Sequence, residues 1–243
     1  MLLKVGDSAK LDLAREARTG IPEVVLAEGK RDADLVAIVQ AFVAAKGRVL
    51  VSRLAPERLP LLGAVPVTYH ERARLAVAGT APAPSTGGRV LVLAAGTADV
   101  EVAEEARIVA QSMGCETRHH YDVGVAGIHR LFPALDDAAW ADAVVVVAGR
   151  EGAIAPVVAG LVDRPVIGIP VSVGYGAGGR GEAALLTMLQ SCSPLTVVNI
   201  DAGFVGGACA AQIANRVASA RNPSTGESQP LEAEVLLSGA RRE

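Results

Sequence analysis

The sequence predicts an α/β protein: a three-layer fold with a central parallel sheet covered by helices on both faces, preceded by a small α+β domain. Three observations predict it. From residue 89 onward, short β-branched apolar runs alternate with segments of helical period, the pattern of repeated βαβ units joined by right-handed crossovers. Most of those runs end in a glycine-bearing turn, at Gly96, Gly124, Gly149 and Gly174. Before them, Thr80–Gly88 is almost wholly proline, glycine, serine, threonine and alanine and cannot hold a regular element. The chain therefore divides into a domain over 1–80, a linker over 81–88, a larger domain over 89–221 and a loose tail over 222–243.

In the first domain, Leu11 to Arg18 reads as a helix stopped at Thr19-Gly20, and Glu23 to Ala27 as a short strand. Ala33 to Ala45 reads as an amphipathic helix closed by Gly47, with further strands at Val49 to Ser52 and Val65 to Tyr69. After the linker, Val90 to Ala94 is a buried strand. Val102, Ala106, Val109, Ala110 and Met113 then share one helical face that ends at Gly114. A strand follows near Thr117 to Val123, then a helix around His129. Strands at Val144 to Ala148 and Val166 to Ile169 alternate with helices at Ala153 to Val162 and Glu182 to Gln190. A last strand, Val197 to Ile200, leads into a helix from Phe204 to Ala220, and Leu231 to Leu237 is the one candidate element of the tail.

Composition narrows the function classes. The chain is 51% hydrophobic but only 3% aromatic, which suits close-packed layers of small residues. A formal net charge of −3 supplies no basic face for nucleic acid. The N-terminal residues lack a signal-peptide core and no apolar run is long enough for a bilayer, so the expectation is a cytoplasmic protein without a membrane partner. Its three cysteines, Cys115, Cys192 and Cys209, have neither disulfide-framework nor zinc-ligand spacing.

Chemistry concentrates in the strand-to-helix turns, because open parallel sheets bind ligands at the carboxyl ends of their strands. Gly96, Thr97 and Asp99 sit where free backbone N–H groups favour an anion, although Thr97 or Asp99 can equally cap the helix. The spacing is neither a Walker loop nor a dinucleotide fingerprint. His129 and Arg130 close the second turn, suited to a phosphate or carboxylate or simply to a polar helix face. Glu151, between Gly149 and Gly152, can ligate Mg²⁺ or stabilise a helix N-terminus. Gly174-Tyr175-Gly176-Ala177-Gly178-Gly179 is more glycine-rich than an ordinary loop needs, as expected of backbone that closes on a ligand. Cys192 lies between Ser191 and Ser193-Pro194 at a helix end; Cys115 and Cys209 read as packing. A helix C-terminus raises a thiol pKa, so a reactive Cys192 needs a cation nearby.

Together these residues resemble a known family. The half from Val90 to Ala220 is similar in layout to the aminoimidazole ribonucleotide carboxylase/mutase fold, a flavodoxin-like three-layer arrangement. The fuller resemblance is to LarB-type pyridinium-3,5-biscarboxylic acid mononucleotide synthases of nickel-pincer nucleotide biosynthesis. It is carried by Arg18-Thr19-Gly20-Ile21-Pro22-Glu23, Ala27-Glu28-Gly29-Lys30, Ala94-Ala95-Gly96-Thr97-Ala98-Asp99, Asp122 to Leu131, Ser172 to Ala177 and Ser191-Cys192.

The resemblance implies carboxylation of the pyridinium ring of nicotinic acid adenine dinucleotide by CO₂ or bicarbonate, followed by phosphoanhydride hydrolysis that releases AMP. It places the family's nucleophile on Cys192, whose thiolate the cationic ring itself stabilises. It implies a divalent metal such as Mg²⁺, with Glu151 as its ligand, and no organic cofactor. Gly96, Thr97, Asp99, His129, Arg130, Gly149, Gly174, Tyr175, Gly176 and Asn199 become the expected substrate-binding residues. Two departures stand out. The family's Ser-Phe-Gly-Gly after Gly176-Ala177 reads Gly178-Gly179-Arg180-Gly181 here, and its Asp-Asn-Gly reads Asp201-Ala202-Gly203. The purine-synthesis carboxylase/mutase is the alternative reading, and a non-catalytic nucleotide-binding module a third. Apolar helix faces add the expectation of a homo-oligomer.

Overall fold

The computed structural model describes residues 2–6 and 9–222; the tail and its candidate element at 231–237 lie outside the described residues. The larger domain is built on a five-stranded all-parallel sheet. Its strands are β7 (Arg89–Ala94), β8 (Glu116–His120), β9 (Ala143–Ala148), β10 (Val166–Pro170) and β11 (Thr196–Val197), in the spatial order β11-β10-β9-β7-β8. That order is flavodoxin-like, and it reverses between β7 and β9.

Strands buried on both faces read as unbroken apolar runs because each residue of the pleat meets one covering layer. In β9, Val145 and Val147 face the core under α3 (Val100–Ser112) and α7 (Gly203–Arg221). Val144, Val146 and Ala148 face the core under α4 (Phe132–Trp140), α5 (Ile154–Leu161) and α6 (Glu182–Leu189). Full burial of each such valine contributes about 1.5–3 kcal/mol. Helix α7 rides close on α3 because it carries glycine at the crossing: a Cβ on Gly207 would stand 2.8 Å from the Ala106 Cα.

The N-terminal domain has a mixed sheet in the order β3-β4-β6-β5, from β3 (Val24–Leu26), β4 (Arg48–Ser52), β5 (Val67–His70) and β6 (Leu75–Gly79). One face packs on α2 (Asp32–Lys46), and from the other Leu50 and Leu75, with Ala73 of the turn between β5 and β6, enter the same core as α3. The two domains therefore share apolar contacts.

Four expectations need correction. Leu11 to Arg18 is not one helix: β2 (Ala9–Asp12) pairs antiparallel with β1 (Leu2–Val5), and only α1 (Arg15–Thr19) is helical. The Asp12 carboxylate accepts the Ala14 N–H at 3.2 Å and a hydrogen bond from Arg18 at 2.5 Å, turning the chain out of the hairpin. Strand β6 was not expected; its small residues become a central strand only through pairing with β4 and β5. Strand β8 stops at His120, because Asp122 takes a left-handed φ of 60° and turns the chain back over β7. The last strand is only Thr196–Val197, and the chain then turns where the Asn199 carbonyl accepts the Ala202 N–H at 3.3 Å.

Candidate functional site

At the reversal of strand order, the turns after β7, β8, β9 and β10 surround a cleft of about 660 Å³, where open α/β sheets bind ligands. The turn after β7 is a single 3-10 turn, Thr97–Asp99, leading into α3. Asp99 is 6% exposed, and its two carboxylate oxygens accept the Gly96 N–H at 2.8 Å and the Gly149 N–H at 2.9 Å. One buried side chain thus ties the β7 turn to the β9 turn. Burial pushes its pKa up, and nearby Glu151 adds to that, against the two backbone amides that favour its charge.

Close backbone approaches make the cleft walls. A Cβ on Gly149 would run into the Val173 carbonyl, and one on Gly124 would stand 2.9 Å from the Ala95 carbonyl oxygen. Gly124 N–H donates to that same carbonyl at 2.8 Å, holding the β8 turn against β7. Only glycine permits four turns to converge so tightly.

The structure brings Gly96, Thr97, Asp99, Arg130, Gly149, Glu151, Gly174 and Tyr175 together on the cleft wall. His129 is not a wall residue: the expected helix is a 3-10 segment, Val125–Arg130, broken at Gly127, which turns His129 to solvent and leaves Arg130 facing inward. Gly176 and Asn199 also lie off the wall, exposed. Cys192 is exposed on a separate shallow surface with Pro156, Leu186, Thr187 and Gln190. It follows α6, which starts near the cleft and runs to the opposite edge of the sheet. Within one chain, thiol and cleft stand at opposite ends of that helix.

Two charged wall residues, Asp122 and Arg150, are not among the expected site residues. Asp122 pairs with Arg130 across the β8 turn. Arg150 stacks its guanidinium 4.5 Å from the centre of the Tyr175 ring; its place between Gly149 and Glu151 was the available signal. Elsewhere, His120 Nε2 lies 2.8 Å from Asp137 Oδ2, and the His119 ring packs on Tyr121. Cys115 is buried, and desolvation pushes its thiol up to about 12.

The donor set does not build a resident metal centre. Among the described residues, no three His, Cys, Asp or Glu side chains cluster to hold an ion. Asp99 spends both oxygens on backbone amides and Asp122 pairs with Arg130, which leaves Glu151 as a lone carboxylate on the wall.

A glycine-walled cleft at the switch point of a flavodoxin-like sheet defines the class: an α/β protein with a small-molecule site at the carboxyl edge of its strands. The family model described as AIR carboxylase matches residues 89–231, and the chain belongs to that carboxylase/mutase family. Residues 3–80 match the LarB/PurE-like N-terminal domain, so the whole has the LarB-type architecture. It is 40% identical over 222 residues to "Uncharacterized protein MJ0165" of Methanocaldococcus jannaschii, covering 87% of this chain and 86% of that one. No helix among the described residues is long and apolar enough to cross a membrane.

Proposed function

We propose that this chain carboxylates the pyridinium ring of nicotinic acid adenine dinucleotide and hydrolyses its phosphoanhydride to release AMP. The observation that carries the reading is the joint presence of the LarB/PurE-like N-terminal domain and the AIR carboxylase domain in one chain. The chemistry is consistent with the residues. An electron-poor pyridinium cannot attack CO₂. Addition of the Cys192 thiolate makes a neutral dihydropyridine whose enamine carbon attacks CO₂ and forms the new C–C bond. Loss of the proton from that carbon to a base, and departure of the thiolate with its bonding pair, restore the aromatic cation. Water then attacks a phosphorus of the diphosphate, and the P–O bond to the other phosphate breaks.

The separation of Cys192 from the cleft makes the reading specific. A ring held in one chain's cleft meets the thiol of a second copy, so the active form is a homo-oligomer. The surface around Cys192 favours such a contact: Leu186 and Leu189 on α6 are 60% and 62% exposed, apolar area that association removes from water.

The test supplies nicotinic acid adenine dinucleotide, bicarbonate and Mg²⁺, and follows AMP and the dicarboxylated pyridinium mononucleotide by mass spectrometry. Both products are expected, and both vanish in Cys192→Ala. Folded wild-type protein yielding neither refutes the proposal, and turnover of an aminoimidazole ribonucleotide by Cys192→Ala establishes the purine reaction instead. Glu151→Gln, which removes the lone carboxylate on the cleft wall, is expected to be inactive as well, and co-assembling it with Cys192→Ala regains activity if thiol and cleft come from different copies. A mixture as inactive as its parents, beside an active wild type, removes the two-copy arrangement.

A further inference from the structure

We propose that Arg150 is a specificity-determining residue of the cleft, which grips a pair of anionic oxygens on the substrate and is held ready for them by the ring of Tyr175. The inference rests on the cleft being the substrate site, as in the reading above, and adds the residue and the ligand chemistry.

The backbone provides the first observation. Arg150 occupies the left-handed region at φ 44°, costly for a residue with a Cβ and found where surrounding structure enforces it, often at functional sites. The enforcement is visible. Gly149 is wedged beneath the Val173 carbonyl, Gly152 N–H donates to the Gly149 carbonyl at 2.9 Å, and a Cβ on Gly174 would lie 3.7 Å from Arg150 N. The β9 and β10 turns meet at this residue, and their contact directs its side chain along the cleft wall.

The second observation is electrostatic. The cleft wall holds two arginines, and Asp122 neutralises Arg130. Among the described residues, Arg150 forms no ion pair with any carboxylate, its neighbour Glu151 included. Its guanidinium lies instead against the face of Tyr175, a ring 79% exposed at the rim of the cleft. A guanidinium held over a ring by its charge makes no hydrogen bond there, and among the described residues its N–H donors stay unspent. A rigid planar fork with free edges matches two oxygens of a phosphoryl or carboxylate group. The proposed substrate offers both, in its diphosphate and in its ring carboxylate.

Isothermal titration with AMP, nicotinate and neutral adenosine tests the proposal and separates the two sources. For the anion that Arg150 holds, Arg150→Met weakens binding by about tenfold or more. Arg150→Lys recovers part of the loss, and Tyr175→Leu gives an intermediate loss by freeing the guanidinium to wander. Adenosine binding stays unchanged. Loss confined to AMP assigns the phosphate, and loss confined to nicotinate assigns the carboxylate. The inference is overturned if Arg150→Met binds both anions within twofold of wild type, or if the wild type binds neither. If AMP binding drops in Arg150→Met while no variant carboxylates the dinucleotide, the proposed reaction fails and this inference stands. If carboxylation proceeds in Arg150→Met with unchanged KM, the reverse holds.

Discussion

Replacing Gly149 by alanine tests how the cleft is built. The backbone φ there is not left-handed, so alanine is conformationally permitted and the whole effect is steric. Its Cβ would run into the Val173 carbonyl and stand 3.1 Å from Asp99 Oδ1. Neither is the end of a flexible side chain: one is backbone, the other is a buried carboxylate fixed by two amides. Overpacking of this kind costs about 1–3 kcal/mol. Moving the turn also breaks the 2.9 Å bond from Gly149 N–H to Asp99, and a hydrogen bond to a charged group is worth about 1.5–3 kcal/mol. We expect a loss of about 3 kcal/mol, which lowers Tm by roughly 6–12 °C for a domain of this size. Thermal unfolding followed by circular dichroism at pH 7 reads it. Gly160→Ala is the control, because Gly160 lies in α5 and its new Cβ meets only the Ser193 Oγ at 3.3 Å; there helix propensity raises stability by about 0.5 kcal/mol. A Gly149→Ala melting point within 2 °C of wild type, roughly the scatter expected of a surface change, refutes the steric account of the cleft.

Thiol alkylation with mass-spectrometric readout should label Cys192 first, since it is exposed, while buried Cys115, with its thiol pushed up to about 12, labels only on unfolding; equal rates at the two sites would contradict this burial. Glu105 is 7% exposed on α3, where burial raises its pKa against the Ser52 hydroxyl, the Arg53 charge and the Phe204 N–H, with Glu101 raising it further. A raised carboxyl contributes stability that is complete below the ordinary carboxylate range and is lost as pH rises through its folded value. Glu105→Gln, which does not titrate, should therefore gain stability relative to wild type between pH 4 and pH 8 in urea unfolding; a difference that stays flat with pH would show that Glu105 is not shifted.

Much of the larger domain was legible because its strands are buried on both faces. Val144 to Ala148 and Val166 to Ile169 admit only apolar residues, and that requirement shows as uninterrupted runs. The smaller domain was harder. Ala9–Asp12 and Leu75–Gly79 carry weak local signals and owe their conformation to the strands beside them, because strand preference depends on what a residue packs and pairs against. The site divided in the same way. Gly96, Gly149 and Gly174 were visible as glycines that end apolar strands, and at Gly149 converging backbone leaves no room for a Cβ. Arg150 drew no attention because stacking on Tyr175 is a relation between two turns.

The sequence by itself determined the layered α/β class, the glycine turns and the family motifs that include Cys192, because those depend on burial, backbone freedom and residue identity along the chain. Only the tertiary structure decided which motifs meet. Strand order put the β7, β8, β9 and β10 turns around one cleft, while the length of α6 carried Cys192 to the far edge. The physical reason is that a strand or helix sets what lies at its two ends, whereas the order in which strands pair sets which ends come together.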